Sequence, residues 1–248
     1  KAILEHRTVR KYKTDPIDSE MLDKILEAGT RASTTGNMQV YSIIVTKDET
    51  LKKQLWELHF KQNMVLEAPV ILTFCADFNR FNKWCRQRKA EPGYDNFLSF
   101  YTASIDALLV AQNVCIAAES LGLGICYLGT TTYMTDKIAS CLNCPSDVIP
   151  VTTLVVGWSA ENPQLTDRLP LHGVTHKEIY KDYSPEDIDN IYREKEALSS
   201  SADLLKINEL ETLPQIFTQK RYTRKDNVFF SQQFLKTITK KGFMNNQE

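Results

Sequence analysis

The sequence predicts mixed α and β structure around one central sheet. Strand and helix patterns alternate along it, Val70–Ala76 is a short, unbroken, β-rich apolar run, and residues 101–121 form a helix that is apolar nearly all the way round. Residues 1–16 are basic and end at Pro16. Asp18 or Ser19 can cap a helix over about 19–31, with Met21, Leu22, Ile25, Leu26 and Ala28 on one face. Residues 31–39 have turn chemistry and no period, which predicts a loop. Val40 to Thr46 reads as a strand and Glu49 to about His59 as a helix. The Val70–Ala76 run predicts a strand buried on both faces. Residues 78–100 are polar and aromatic, carry Pro92-Gly93, and read as a long excursion. The helix over 101–121 belongs in the middle of the protein, and Gly122 is placed to end it. Ile125 to Leu128 and Val151 to Val156 read as further strands, with Cys141 to Pro150 as a connector.

The character changes after Pro170. Residues 181–226 are charged, polar and weakly periodic, and 227–243 suit an amphipathic helix. This part cannot bury a core alone. The expectation is one domain over 1–248, with an extension from about 181 that wraps the body or a partner subunit.

The totals exclude several classes. Among 248 residues, 42% are hydrophobic and 25% charged, as in ordinary globular proteins, and the length suits a sizeable core. A net charge of -1 argues against general nucleic-acid binding. No uninterrupted apolar run reaches the roughly 18 residues of a membrane span. The longest, Ala103 to Leu123, is broken by Asp106, Gln112, Asn113 and Glu119. No secretory signal pattern is seen and a chain of this size does not need disulfide staples. The six Cys are therefore read as reduced and the location as cytoplasmic.

Four segments can carry chemistry. In His6-Arg7-Thr8-Val9-Arg10 the two Arg forks can converge on one anion, with the Thr8 hydroxyl assisting. Ser33-Thr34-Thr35-Gly36-Asn37-Met38-Gln39 is a row of hydroxyls and amides that can hold the polar edge of a heteroaromatic ring. In Gly122-Leu-Gly-Ile-Cys-Tyr-Leu-Gly129-Thr130, Gly124 and Gly129 can admit a flat ligand close to the backbone. Arg168 ends a turn-rich loop and can bind phosphate. Taken singly, each also reads as ordinary: a solvated basic stretch, a polar turn, a helix end, a surface charge. G-x-G-x-x-G, P-loop, G-x-S-x-G and H-E-x-x-H patterns are missing, and Cys141-Leu-Asn-Cys144 lacks the second pair of a zinc site.

The order of the segments says more. His6-Arg7-Thr8-Val9-Arg10, Ser33-x-x-x-Asn37-x-Gln39, Ala117-Ala-Glu-Ser-Leu-Gly-Leu-Gly124 and Tyr127-Leu-Gly129 together resemble the nitroreductase family. Phe74-Cys-Ala-Asp-Phe-Asn-Arg80 and Asn162-Pro-x-Leu-x-x-Arg168-Leu-Pro170 are similar to its subgroup of major oxygen-insensitive nitroreductases and NADPH–flavin oxidoreductases. The likeness covers about 4–180 and fades beyond. It implies an α+β fold with a sheet packed between helices, and an interlocked homodimer with FMN at the subunit interface. His6, Arg7, Thr8 and Arg10 would hold the ribityl phosphate and flavin edge, and Arg168 would join the phosphate site. Ser33, Thr34 and Gln39 would come from the partner subunit, Gln62 would face the flavin's polar edge, and the backbone of Tyr127, Leu128, Gly129 and Thr130 would lie near its reactive face. Thr166 stands where the subgroup has Lys, Thr130 where it has a second Gly, and Leu98 and Ser231 near its charged substrate side.

The implied reaction is a ping-pong transfer from NAD(P)H through FMN to a small-molecule acceptor such as a nitroaromatic, a quinone or a flavin. The cofactor carries the chemistry, so no catalytic side chain and no metal ligand is expected. Two other readings remain open: a flavin-binding storage or sensor protein, and a thiol–disulfide oxidoreductase using Cys141 and Cys144.

Overall fold

In the computed structural model, which describes residues 2–246, four strands form one antiparallel sheet in the order β1-β2-β4-β3. They are β1 (Tyr41–Thr46), β2 (Val70–Asp77), β3 (Gly124–Tyr127) and β4 (Val148–Gly157). β2 and β4 are buried along their whole length. Alternation sorts their side chains to two faces. Leu72, Phe74 and Ala76 join a core with α1 (Ser19–Thr30) and α5 (Phe97–Ser120). Ile71 and Val155 join a second core with Leu55 of α2 (Glu49–Leu58), Val65 of α3 (Met64–Glu67) and Ile138 of α7 (Thr135–Cys141).

The structure lengthens β4 backwards through Pro150, where the sequence predicts a connector. Proline has no N–H for the ladder and is normally kept out of central strands. Here the register shifts between Phe74 and Cys75: Phe74 pairs with Thr152, but Cys75 pairs with Pro150. Val151 is the extra residue of this bulge, and the strand continues past it. Two other differences have local causes. The excursion over 78–100 contains α4 (Asn79–Gln87), whose turn of helix is fixed by ring packing: Phe78 stacks on Tyr94 at 4.9 Å, and Phe81 meets Tyr94 edge-on at 5.5 Å. α5 starts at Phe97, earlier than predicted, because the Asn96 side chain accepts the Ser99 N–H at 3.0 Å as an N-cap. The predicted stop is in place: Gly122 has φ +85, the left-handed conformation that ends helices.

By length and composition α5 could span a bilayer. It is instead the central helix of the core, with Ala103, Ala107, Val110, Ala111, Val114 and Ala118 fully buried.

The chain divides into two compact units, Lys1–Gln164 with Phe230–Glu248, and Leu165–Phe229. The first holds the sheet, and Ile238 and Phe243 return to its core. The second consists of α8 (Pro185–Glu196), α9 (Ser199–Asn208) and α10 (Leu213–Gln215), with a π-helical turn over Ile216–Arg221. Its helices begin on local chemistry. Ser184 and Asp187 form a reciprocal capping box with Pro185 in the first turn, and Thr212 and Gln215 form another. α11 (Arg224–Lys240) matches the predicted C-terminal helix.

Candidate functional site

The segment His6–Arg10 is an extended strap beside β3. Thr8 makes a parallel bridge to Ile125, and the Val9 N–H donates to the Ile125 carbonyl at 2.9 Å. Val9 is buried against Gly124, where an added Cβ would lie 2.6 Å from Val9 Cγ2. Gly124 therefore admits the strap, whereas the sequence reading gave its missing side chain to a ligand. Two carboxylates lock the strap. Glu119 of α5 takes His6 Nδ1 at 2.6 Å, and Glu161 accepts the backbone N–H groups of Arg10 and Lys11 at 2.6 and 3.1 Å. With these carboxylates on the imidazole and the backbone, neither the Arg7 nor the Arg10 guanidinium forms an ion pair among the described residues. Arg7 lines a cavity of about 490 Å³ with Glu119, Gly124 and Glu161.

The atoms of His6, Cys115 and Glu119 that can ligate metal lie within 4.8 Å of one another. Burial and the Glu119 carboxylate push the Cys115 thiol up to about 12, so it stays protonated. In this arrangement the Glu119 carboxylate takes both His6 Nδ1 and, at 3.9 Å, the Cys115 thiol, and so orients the imidazole.

A second group forms where β3 runs into α6 (Thr130–Tyr133). The Leu128 N–H donates to the Thr153 carbonyl at 2.8 Å and fixes the end of the strand. Tyr127 is partly exposed, and its hydroxyl donates to Gln112 at 3.3 Å. A Cβ on Gly129 would meet nothing within 4 Å, so the backbone there faces open space. Thr130 Oγ1 lies 2.7 Å from His59 Nδ1 and accepts from Gln62 Nε2 at 3.4 Å. The structure thus joins Gln62 to Thr130, two residues that the resemblance assigns separately to the flavin, and adds His59, which belongs to none of the sequence motifs. The signal for it was position: His59 follows Leu55 by four residues on the buried face of α2. Phe60 and Lys61, both at positive φ (56 and 57), then turn the chain to present Gln62. Two consecutive left-handed residues that are not glycine are the strain expected beside a functional site.

The loop carrying Ser33, Thr34 and Gln39 is held elsewhere. The buried Asp106 carboxylate of α5 accepts the Thr35 N–H at 2.9 Å and the Val40 N–H at 3.4 Å. Arg80 donates to the Gln39 carbonyl and, at 3.3 Å, to that of Tyr41. Ser33 and Gln39 are exposed and Thr34 is half-buried. Asp106 and Glu119 therefore hold two clusters on one helix, about 20 Å apart along its axis at 1.5 Å per residue.

Arg168 belongs to the second unit. Its Nη1 donates to Thr166 Oγ1 at 2.7 Å and to the Asp167 carbonyl at 2.8 Å, and Asp167 is paired with Lys195 at 2.6 Å. Cys141 and Cys144 face different neighbours. Cys141 donates to Gln54 at 3.4 Å, while Cys144 shares a hydrogen bond with the buried Cys75.

Comparison with known proteins is consistent with this geometry. Residues 3–158 match the Nitroreductase family. An FMN reductase (NADPH) of Bacillus subtilis (strain 168) is 35% identical over 180 residues, covering 72% of each chain. A solved structure from Bacteroides fragilis NCTC 9343 has TM-score 0.97 and 50% identity, and covers 98% of this chain and 99% of its own. The NfrA1 nitroreductase from B. subtilis has TM-score 0.87 and 29% identity, and covers 99% and 98%.

Proposed function

The chain belongs to the nitroreductase family, and from that premise we propose that it is an FMN-dependent oxidoreductase that draws hydride from NAD(P)H and serves a small-molecule acceptor in ping-pong order. Nitroaromatics, quinones and flavins are the acceptor classes. The observation that carries the reading is the strap. Glu119 and Glu161 hold its imidazole and backbone in place and leave the two Arg forks, which match phosphate oxygens, without an ion pair among the described residues. The donor set suits FMN: Arg7, Arg10 and Thr8 for the phosphate end, Gln62 and Thr130 for the ring, and open backbone at Gly129 for close approach. When bound, FMN supplies the hydride and electron transfer. The chain's own residues bind and orient. Arg7 and Arg10 supply fixed positive charge, and the half-exposed strand end at Tyr127–Thr130 presents backbone and hydroxyl where negative charge develops on reduction.

A homodimer completes this site. The Asp106 cluster bearing Ser33, Thr34 and Gln39 stands about 20 Å along α5 from the Glu119 cluster, which suits contributions to two different flavins. One face of α5 exposes Leu98, Tyr101, Ile105, Leu108 and Leu109, an apolar stripe of the kind that marks a subunit interface. Leu171, Ile179, Tyr180 and Ile207 are likewise exposed in the second unit, in keeping with an extension that covers a second copy. A cytoplasmic location suits a protein with six free thiols.

Arg10→Ala tests the phosphate assignment. Loss of one charge-assisted contact should weaken FMN binding at least about tenfold, read from quenching of flavin fluorescence. Unchanged affinity would overturn it. Anaerobic NADPH should bleach the bound flavin. Flavin that binds and resists both NADPH and NADH would indicate storage or sensing instead.

A further inference from the structure

His59 is fully buried, and among the described residues its Nε2 has no hydrogen-bond partner. A neutral imidazole carries one N–H and one bare nitrogen. Placing the proton on Nε2 would strand a buried donor, whereas placing it on Nδ1 leaves only an unfilled lone pair there and gives the donor a partner, Thr130 Oγ1 at 2.7 Å. The ring stays neutral because burial holds its pKa down to about 4. The same Thr130 oxygen accepts from Gln62 Nε2 at 3.4 Å, and that amide's other hydrogen goes to the His59 carbonyl at 3.0 Å. A hydroxyl oxygen has two acceptor positions and one proton. Both acceptor positions are filled from inside the protein, so the proton is turned away from His59 and Gln62.

We propose that the Thr130 hydroxyl is a dedicated hydrogen-bond donor to the flavin ring, aimed by His59 and Gln62 as positioning residues, and that it favours the reduced form of the cofactor. The proposal rests on the FMN reading above and deepens it. Gln62, with both amide hydrogens spent, has only its carbonyl oxygen left to offer. The pair therefore presents one donor and one acceptor beside the open backbone of Gly129, a pattern that matches a ring edge bearing both a carbonyl and an N–H. A fixed donor gains strength as negative charge builds on its acceptor, so the hydroxyl binds the reduced ring more tightly than the oxidised one.

The test uses the FMN-loaded protein and its Thr130→Val and Thr130→Ser variants. It measures the two-electron midpoint potential by equilibration with a reference dye, and the dissociation constant of oxidised FMN. Thr130→Val should lose about tenfold in the preference for reduced over oxidised flavin, which for two electrons is a fall of about 30 mV. Oxidised FMN should bind the variant more weakly than the parent but with a smaller loss than reduced FMN shows, and Thr130→Ser should restore the potential. Nitrogen NMR of the His59 ring, with and without FMN, should show the proton on Nδ1. A Thr130→Val protein that holds FMN at the parent potential would overturn the proposal, as would a proton found on Nε2. Failure of the parent chain to bind FMN would sink the functional reading itself. The imidazole spectrum would still decide the direction of the hydroxyl.

Discussion

The sheet-bearing unit buries every residue of β2 and β4, while Leu165–Phe229 buries little beyond Gly173, Ile191, Ser201, Leu213 and Ile216. In the first, stability rests on apolar burial over two faces of a sheet. In the second, capping boxes at Ser184 and Thr212 start helices that bury little apolar surface of their own. One region is specified by what its side chains touch across the chain, the other by side chains completing hydrogen bonds a few residues away.

That contrast can be broken, and the largest effect should come from the sheet. Phe74 is fully buried in β2, so Phe74→Ala should cost about 3–5 kcal/mol in denaturant unfolding. A cost under about 1 kcal/mol would mean that the sheet is not the seat of stability. Next comes His59, whose ring is protonated below about 6.5 when the chain is unfolded but only below about 4 when folded. Between those values the unfolded state binds more protons. Stability present above pH 6.5 should therefore be lost as pH falls toward 4, by on the order of 3 kcal/mol. Comparing unfolding of the parent and His59→Gln at pH 7.5 and pH 4.5 isolates this term from the carboxylates. Equal pH slopes would show that the ring is hydrated. The smallest effect should come from the second unit. Ser184→Ala removes a cap worth about 1 kcal/mol, and amide exchange should quicken in the first turn of α8 before it changes in β2.

The same contrast decides what could be read from the sequence. Val70–Ala76 announces a buried strand because apolar side chains fill both faces. α4 was hidden because Asn79–Gln87 is polar and its order comes from rings at Phe78 and Tyr94 outside it. The start of β4 was hidden by Pro150, whose harm is absorbed by a bulge in register with Cys75. At the candidate site, the strap and the Gln62–Thr130 pair follow from motif order. The buried groups that hold them do not. Asp106 in the middle of an apolar helix read only as an interruption, and it is the carboxylate that anchors the Thr35 and Val40 amides. His59 belongs to none of the motifs, and it matters as a neutral ring against a hydroxyl.

α5 also acts as a ruler. Asp106 and Glu119 each fasten a different segment of chain to one rigid rod, so their phase and spacing are set by helical geometry alone. One residue added between them would swing one end about 100° relative to the other, and even a whole added turn would part them by a further 5 Å or so. Inserted residues should therefore be tolerated in connectors such as 88–95. The stretch 107–118 is closed to insertion however well the newcomer suits a helix.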